Sequence, residues 1–312
     1  MLQRIRTHLE MIRFSHTLFA LPFAILASVM AWGVPAPTAN GESTDLATFA
    51  DGFRWRELVG ILLCMVFARS AAMAFNRLVD RKIDAGNPRT ARRHLVTGEL
   101  SVGSVWVFTL VCFWGFVAST LIFLPNRWPL YLSVPVLMFL FLYSLTKRFT
   151  SLAHFWLGMS LMLAPVCAWI AIRGEWLWAH PADLIPAVVL GCVVLLWVAG
   201  FDIIYACQDE AFDRDAKLHS VPSRFGTQGA LRIAAVCHAA MLIVLVAWPA
   251  LCPQLGLGMI YYLGMTAVAG LLCYEHWLVM PDELGRVNAA FFDVNVIVSV
   301  GLLLVVSLDL FV

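Results

Sequence analysis

Nine apolar runs, each about as long as a bilayer is thick, constrain this chain more than anything else in it. They cover residues 14–33, 57–80, 104–124, 128–146, 152–172, 184–206, 231–250, 257–277 and 289–311. A helix needs about 20 mainly apolar residues to cross the roughly 30 Å hydrocarbon layer. Within that layer the backbone must satisfy its own hydrogen bonds, which leaves helices or closed barrels. Only 13% of the 312 residues are charged, about half the share of a soluble domain. The runs therefore predict an all-α, polytopic membrane protein with nine transmembrane helices, a single domain over residues 1–312.

Several classes fall away at once. The first run continues to about Trp32 behind MLQRIRTHLEMIR, too long for the apolar core of a cleaved signal, so it reads as the first span. The eight cysteines are scattered through apolar stretches without a CxxC pair; they read as small buried hydrophobes, not as a zinc or disulfide framework. No basic domain or aromatic-interleaved patch suggests nucleic acid, and nothing points to an obligate protein partner. Pro125, Pro129, Pro181 and Pro253 stand at span edges, whereas Pro22, Pro135 and Pro165 lie inside spans, where neighbouring helices tolerate them.

Basic residues set the expected orientation. With the N-terminus in the cytoplasm, fifteen of the twenty-one lysines and arginines fall on the inner side and four (Arg54, Arg56, Arg127, Arg173) on the outer. The positive-inside rule then gives a cytoplasmic N-terminus and an outward C-terminus, as expected of an integral protein of a bacterial inner membrane. Two long polar connections, 81–103 and 207–230, face the cytoplasm and cap whatever lies at that end. Four helices separate them, which hints at a pseudo-repeat that residue identity is too weak to establish.

Each of those connections follows an acidic cluster. Asn76, Asp80 and Asp84 form the first, in NRLVDRKID; Asp202, Asp209 and Asp213 form the second, in DIIYACQDEAFD. Ionisable groups at bilayer depth cost a few kcal/mol each, about 2.5–3.5 on insertion scales, so they mark function. A spacing of four stacks side chains on one helical face, making Asp80/Asp84 and Asp209/Asp213 two carboxylate pairs. Mg2+ is held typically by one or two carboxylates together with substrate phosphates. Asn76 adds a neutral oxygen to the expected metal set Asn76, Asp80, Asp84, Asp209 and Asp213. Arg89, Arg92 and Arg93 follow the first cluster, and Arg214, Lys217 and Arg224 the second. Arginine forks beside carboxylates suit a metal-bridged diphosphate. The plainer alternative is a pair of solvated helix ends beside ordinary positive-inside loops, but two sets of spaced carboxylates at equivalent helix ends are hard to produce by chance.

These segments resemble the UbiA family of intramembrane prenyltransferases. NRLVDRKID matches the family's NxxxDxxxD, and DIIYACQDEAFD is similar to its DxxYAxxDxxxD. Arg89, Thr90 and Arg92 repeat its RT-x-R element, and Tyr143 and Lys147 its YxxxK. IRFSHTLFALPFA and LGMSLMLAPVCAW also look like family segments, so the likeness runs along essentially the whole chain. Val96 stands where the family usually has proline, and Ala211 and Phe212 where acids often precede the last aspartate. Neither departure removes a metal ligand. The resemblance implies nine helices around a central cavity opening to lipid. It also implies Mg-dependent transfer of a prenyl group from a polyprenyl diphosphate to an acceptor, usually aromatic.

Within that reading, the expected catalytic residues are Asp80, Asp209 and Asp202, the last set back from the metal pairs for acceptor activation or proton removal. Arg69, two turns before Asn76 and deeper in the membrane, is expected to clamp the carboxylate of an aromatic acid; the alternative is an arginine that snorkels or pairs with a buried acid. Lys147 is expected on the diphosphate, and Tyr143 and Tyr205 against substrate, although tyrosines near interfaces also serve as aromatic-belt residues. His16, His154, His219, His238 and His276 show no metal-ligand spacing and read as structural. Glu275 and His276 either touch the cavity or face the cytoplasm. The acceptor stays open between 4-hydroxybenzoate and a dihydroxynaphthoate; haem, homogentisate or chlorophyllide fit less well. A transporter is the alternative from another class, but it would more typically carry midplane charges and broken helices.

Overall fold

A computed structural model of the protein describes residues 2–12, 19–34, 36–37, 43–44, 54–279 and 290–312. The start of the first apolar run with His16, the end of the eighth connection with Arg286, and residue 289 of the last run lie outside the described residues. The helices are α1 (Leu2–Met11), α2 (Leu21–Gly33), α3 (Trp55–Val79), α4 (Arg81–Gly86), α5 (His94–Thr97), α6 (Val102–Thr120) and α7 (Trp128–Thr146). They continue with α8 (Ala153–Leu177), α9 (Ile185–Ala206), α10 (Glu210–Asp215), α11 (Val221–Leu251), α12 (Met259–Leu278) and α13 (Asn295–Asp309). One two-residue antiparallel pairing, Ala36–Pro37 with Ser43–Thr44, is the only sheet among the described residues.

Among those residues, seven helical segments are long and apolar enough to cross a membrane: Trp55–Val79, Val102–Phe123, Trp128–Thr146, Ala153–Leu177, Pro181–Asp215, Val221–Leu251 and Phe292–Asp309. Nine were expected. The other two runs are helical but fall short. α2 has 13 residues, and α12 carries Glu275 and His276 in its last turns. The polar connections also differ from plain loops, since 81–103 contains α4 and α5, and 207–230 contains α10 and the first turns of α11.

Local chemistry explains the boundaries. Pro22, Pro129, Pro186 and Pro222 sit in the first turns of α2, α7, α9 and α11, where a missing N–H costs nothing and φ is already helical. Ser101 caps α6 through the Ser104 N–H, and Ser220 and Ser223 form a reciprocal capping box on α11. Inside the helices hydroxyls are returned to their own backbone, Ser28 to Ala24 O at 2.7 Å and Ser160 to Trp156 O at 2.8 Å. Apolar surroundings demand that bonding.

The helices close into a ring. α3 packs on α6 and α7, α7 on α8, α8 on α9, α9 on α11, and α11 on α12. α12 then meets α13, α13 meets α2, and α2 returns to α8. Phe23, Trp197, Met241, Leu245 and Val298 form the buried centre of the second half. At Gly158 a Cβ would lie 2.5 Å from the backbone oxygen of Leu195; a small residue there lets α8 and α9 touch backbone to backbone. Gly158→Val is expected to wedge the two helices apart, an overpacking costing about 1–3 kcal/mol, and to lower the Tm of the detergent-solubilised protein. An unchanged Tm would contradict that close contact.

Candidate active site

The two acidic clusters are remote in sequence and meet through the side chains of the first connection. Arg89 donates from Nε to Asp209 Oδ1 at 2.8 Å and forms a second ion-paired bond from Nη2 to Asp209 Oδ2. Its Nη1 reaches the Tyr205 hydroxyl at 2.7 Å, and its guanidinium lies 4.9 Å from the centre of that ring. Asn87 Nδ2 donates to the same Asp209 Oδ1 at 3.0 Å. Burial pulls the Arg89 guanidinium down, but the hydrogen bond and charge of Asp209 more than offset it and hold its pKa above the ordinary value.

The first cluster is bound from the other side. Asp84, only 6% exposed, receives Arg93 Nη1 on both oxygens at 2.6 Å, while Thr90 Oγ1 donates to its backbone carbonyl at 3.0 Å. Asp80 accepts from Asn76 Nδ2 at 2.8 Å and from Arg148 Nη2 at 3.3 Å. The Asn76 carbonyl oxygen accepts from Arg77 Nη1 at 2.9 Å. Lys147 is within electrostatic reach of Asp80, Asp209 and Asp213 together, and its backbone carbonyl accepts from the His219 N–H at 2.7 Å. One cation thus stands among carboxylates of both clusters.

Do these residues fit a divalent cation? Among the described residues no three His, Cys, Asp or Glu side chains converge tightly enough to hold a metal unaided. The carboxylates come instead as pairs. Asp213 is 3% exposed, and its Oδ2 is buried with no hydrogen-bond partner among the described residues. A buried carboxylate oxygen without a donor is costly unless something cationic meets it. Paired carboxylates, an orphaned oxygen and adjacent arginines fit Mg2+ shared with substrate phosphates.

Beside this polar mouth lies an apolar cavity between α3, α6, α7 and α8. Asn76 and Tyr143 line its polar end, and along α3 its wall runs past Arg69 to Ile61. Fifteen positions of helix correspond to about 22 Å at 1.5 Å each, a good part of the bilayer. Among the described residues Arg69 is the one cation in that wall. It has no carboxylate partner among the described residues, and its Nε is buried without an acceptor. The reading of Arg69 as half of a buried ion pair therefore fails here.

Asp202 sits apart from the arginines. Its Oδ2 lies 2.6 Å from His154 Nδ1, and Tyr143 is within electrostatic reach of both Asp202 and Asp80. Arg92 and Lys217 are exposed, and neither joins the contacts above; Lys217 adopts a φ of 55° in the turn after α10. Asn87, Arg93, Arg148 and His154 do touch the clusters, although the first, third and fourth carried no motif pointing to them. In sequence only its charge and its place beside Arg89 and Arg92 single out Arg93. Glu275 neither lines the cavity nor faces solvent: it is fully buried, bonded to Asn295 Nδ2 at 3.0 Å. The adjacent His276 Nε2 lies 3.0 Å from His238 Nδ1.

Known proteins share this architecture. The family model for UbiA prenyltransferases matches residues 43–297. A 4-hydroxybenzoate octaprenyltransferase of Saccharophagus degradans is 30% identical over 261 residues, covering 81% of this chain and 82% of that protein. The apo structure of a UbiA homologue from Aeropyrum pernix K1 superposes with a TM-score of 0.78 at 29% identity, covering 95% of this chain and 98% of the other. A UbiA homologue from Archaeoglobus fulgidus bound to GPP and Mg2+ shares the fold, with a TM-score of 0.62 at 20% identity over 96% of this chain and 99% of that one.

Proposed function

Because the chain belongs to the UbiA prenyltransferase family, we propose that it transfers a polyprenyl group to an aromatic carboxylic acid of quinone biosynthesis. The donor in this reading is a polyprenyl diphosphate, and the acceptor is 4-hydroxybenzoate or a dihydroxynaphthoate. The observation that carries the choice of acceptor is Arg69, a guanidinium in an apolar wall two turns from Asn76 that meets no carboxylate among the described residues. A guanidinium in such a place binds a planar carboxylate bidentately, which a hydrocarbon tail has no means to do. The curated relative named above acts on 4-hydroxybenzoate, which agrees with that choice.

Asp80 and Asp84 from one side, and Asp209 and Asp213 from the other, are the residues that would hold Mg2+, with Asn76 beside them. When bound, the metal neutralises the leaving diphosphate and so favours ionisation of the allylic C–O bond. The protein's own groups do the rest. Arg89, Arg93, Arg148 and Lys147 face the diphosphate oxygens, and Tyr143 and Tyr205 wall the reacting carbon. Arg92 and Lys217, exposed without substrate, join from the solvent side. The apolar cavity takes the polyprenyl tail and excludes water from the allylic cation. Asp202 receives the proton that the ring loses. The excess of basic residues beside both clusters favours a cytoplasmic active site in a bacterial inner membrane, with the nine apolar runs all spanning.

The test is a product matrix. Purified protein with Mg2+ and polyprenyl diphosphates of several lengths is incubated with 4-hydroxybenzoate, dihydroxynaphthoates and homogentisate, and products are identified by mass. Prenylated hydroxybenzoate or naphthoate is expected. Product only from the acceptor that lacks a ring carboxylate would refute the assignment to Arg69.

A further inference from the structure

His154 reads in sequence as a structural histidine of a membrane helix, yet its surroundings give it a definite chemical state. It lies in the first turn of α8 and is fully buried. Its Nε2 lies 3.3 Å from the backbone nitrogen of Val221, at the start of α11. A backbone N–H only donates, so Nε2 accepts and carries no proton. The ring is then the neutral tautomer with its proton on Nδ1, and that proton points at Asp202 Oδ2, 2.6 Å away. Three elements converge here: α8 supplies the ring, α9 the carboxylate and α11 the N–H that selects the tautomer.

The contrast with the three aspartates that guanidinium groups approach gives this bond its meaning. Asp84 is covered by Arg93, Asp209 by Arg89, and Asp80 is approached by Arg148. Asp202 has no lysine or arginine partner among the described residues; its one ion-pair-distance neighbour is His154. A guanidinium would make a carboxylate a poor proton acceptor, because opposite charge favours the ionised form. A neutral donor fixes one oxygen and costs the other little basicity.

We propose that His154 is a positioning residue of the prenyl transfer, holding Asp202 Oδ2 so that Oδ1 faces the acceptor ring. The inference rests on the function proposed above. When the allylic carbon has bonded to the ring and diphosphate has left, the attacked ring carbon still carries its hydrogen. That C–H bond then breaks, its electron pair restores the aromatic ring, and the proton passes to Asp202 Oδ1. His154 neither gains nor loses a proton in this step. Its task is the orientation of the carboxylate, and with it the fraction of bound complexes that complete the transfer.

Kinetics of three variants test the assignment. His154→Leu removes both bonds and is expected to lower kcat about 10- to 100-fold, no more than the low end of the roughly 10²–10⁴-fold that a positioned general base contributes, because the carboxylate itself remains, with the KM of each substrate changed less than about threefold. In His154→Gln the amide N–H2 can donate to Asp202 while its oxygen accepts from Val221, so most of kcat should return. In the Asp202→Asn background, His154→Leu should add little further loss, because both changes disable one unit. The proposal is overturned if His154→Gln is as impaired as His154→Leu at equal Tm, if the two losses multiply in the double variant, or if only the KM for polyprenyl diphosphate moves. It is also overturned alone if the wild type turns over and His154→Leu matches it. A wild type giving no prenylated product from any substrate pair instead defeats the functional reading, and this proposal falls with it.

Discussion

Asp209→Ala is expected to lower prenyl transfer by about 10³-fold, the scale of losing one preorganised electrostatic group at a developing charge, while the protein stays folded. Asp209 has two tasks in the structure. It holds Arg89, itself anchored to Tyr205, against the second cluster, and it contributes one of the four carboxylates proposed for the metal. Without it Arg89 loses its orientation and the site loses a negative charge, so both halves of the diphosphate grip fail together. Arg89 is about a third exposed and can turn to water, which spares the fold the cost of a stranded charge. Product formation by mass, with Tm as the control for folding, measures the effect. EDTA should abolish wild-type turnover and excess Mg2+ restore it. A variant within tenfold of wild type, or turnover that persists in EDTA, would remove Asp209 from the centre of the chemistry.

Arg69→Ala has the second largest expected effect, and it is selective. The KM for the aromatic acid should rise about 30- to 150-fold, corresponding to roughly 2–3 kcal/mol for a charge-assisted contact in a desolvated place, and the KM for polyprenyl diphosphate should stay within about threefold. Among the described residues Arg69 has no carboxylate to leave behind, so its loss removes a binding group without exposing an unpaired partner. Arg69→Lys, a point charge lacking the planar fork, should fall between. Titrations of each substrate at saturation of the other check the split. Equal increases in both constants would mean that Arg69 shapes the cavity in general and binds no carboxylate.

Much of this site was legible because its signals are local. Asp80 and Asp84, or Asp209 and Asp213, are paired by helical periodicity alone, and Arg69 falls on the face of Asn76 by the same count. What was illegible depends on how the chain folds back. Asn87 and Arg89 reach an aspartate 122 and 120 positions away, and nothing in NPRT says which acid they will meet. Of the adjacent Arg92 and Arg93, the motif pointed to the first, whereas the turn before α5 brings the second onto Asp84. Successive residues point in different directions, so a short irregular connection decides between neighbours. Lys217 belongs to the basic set by sequence, but its backbone turns it outward. His154 reads as structural in sequence because its role depends on Val221 and Asp202, contributed by two other helices.

The sequence by itself determined that this chain is an all-α membrane protein with two carboxylate pairs at helix ends. Hydrophobic length and a period of 3.6 are properties of a segment and need no knowledge of its neighbours. Only the tertiary structure decided that the two pairs share one mouth, that the cation over the cavity meets no carboxylate among the described residues, and that Asp202 faces a neutral imidazole. Each of these is a contact between segments remote in sequence, and in a bundle the rotation of each helix is set by what it packs against. At Gly158 that is the bare backbone of α9, which brings His154 within reach of the carboxylate.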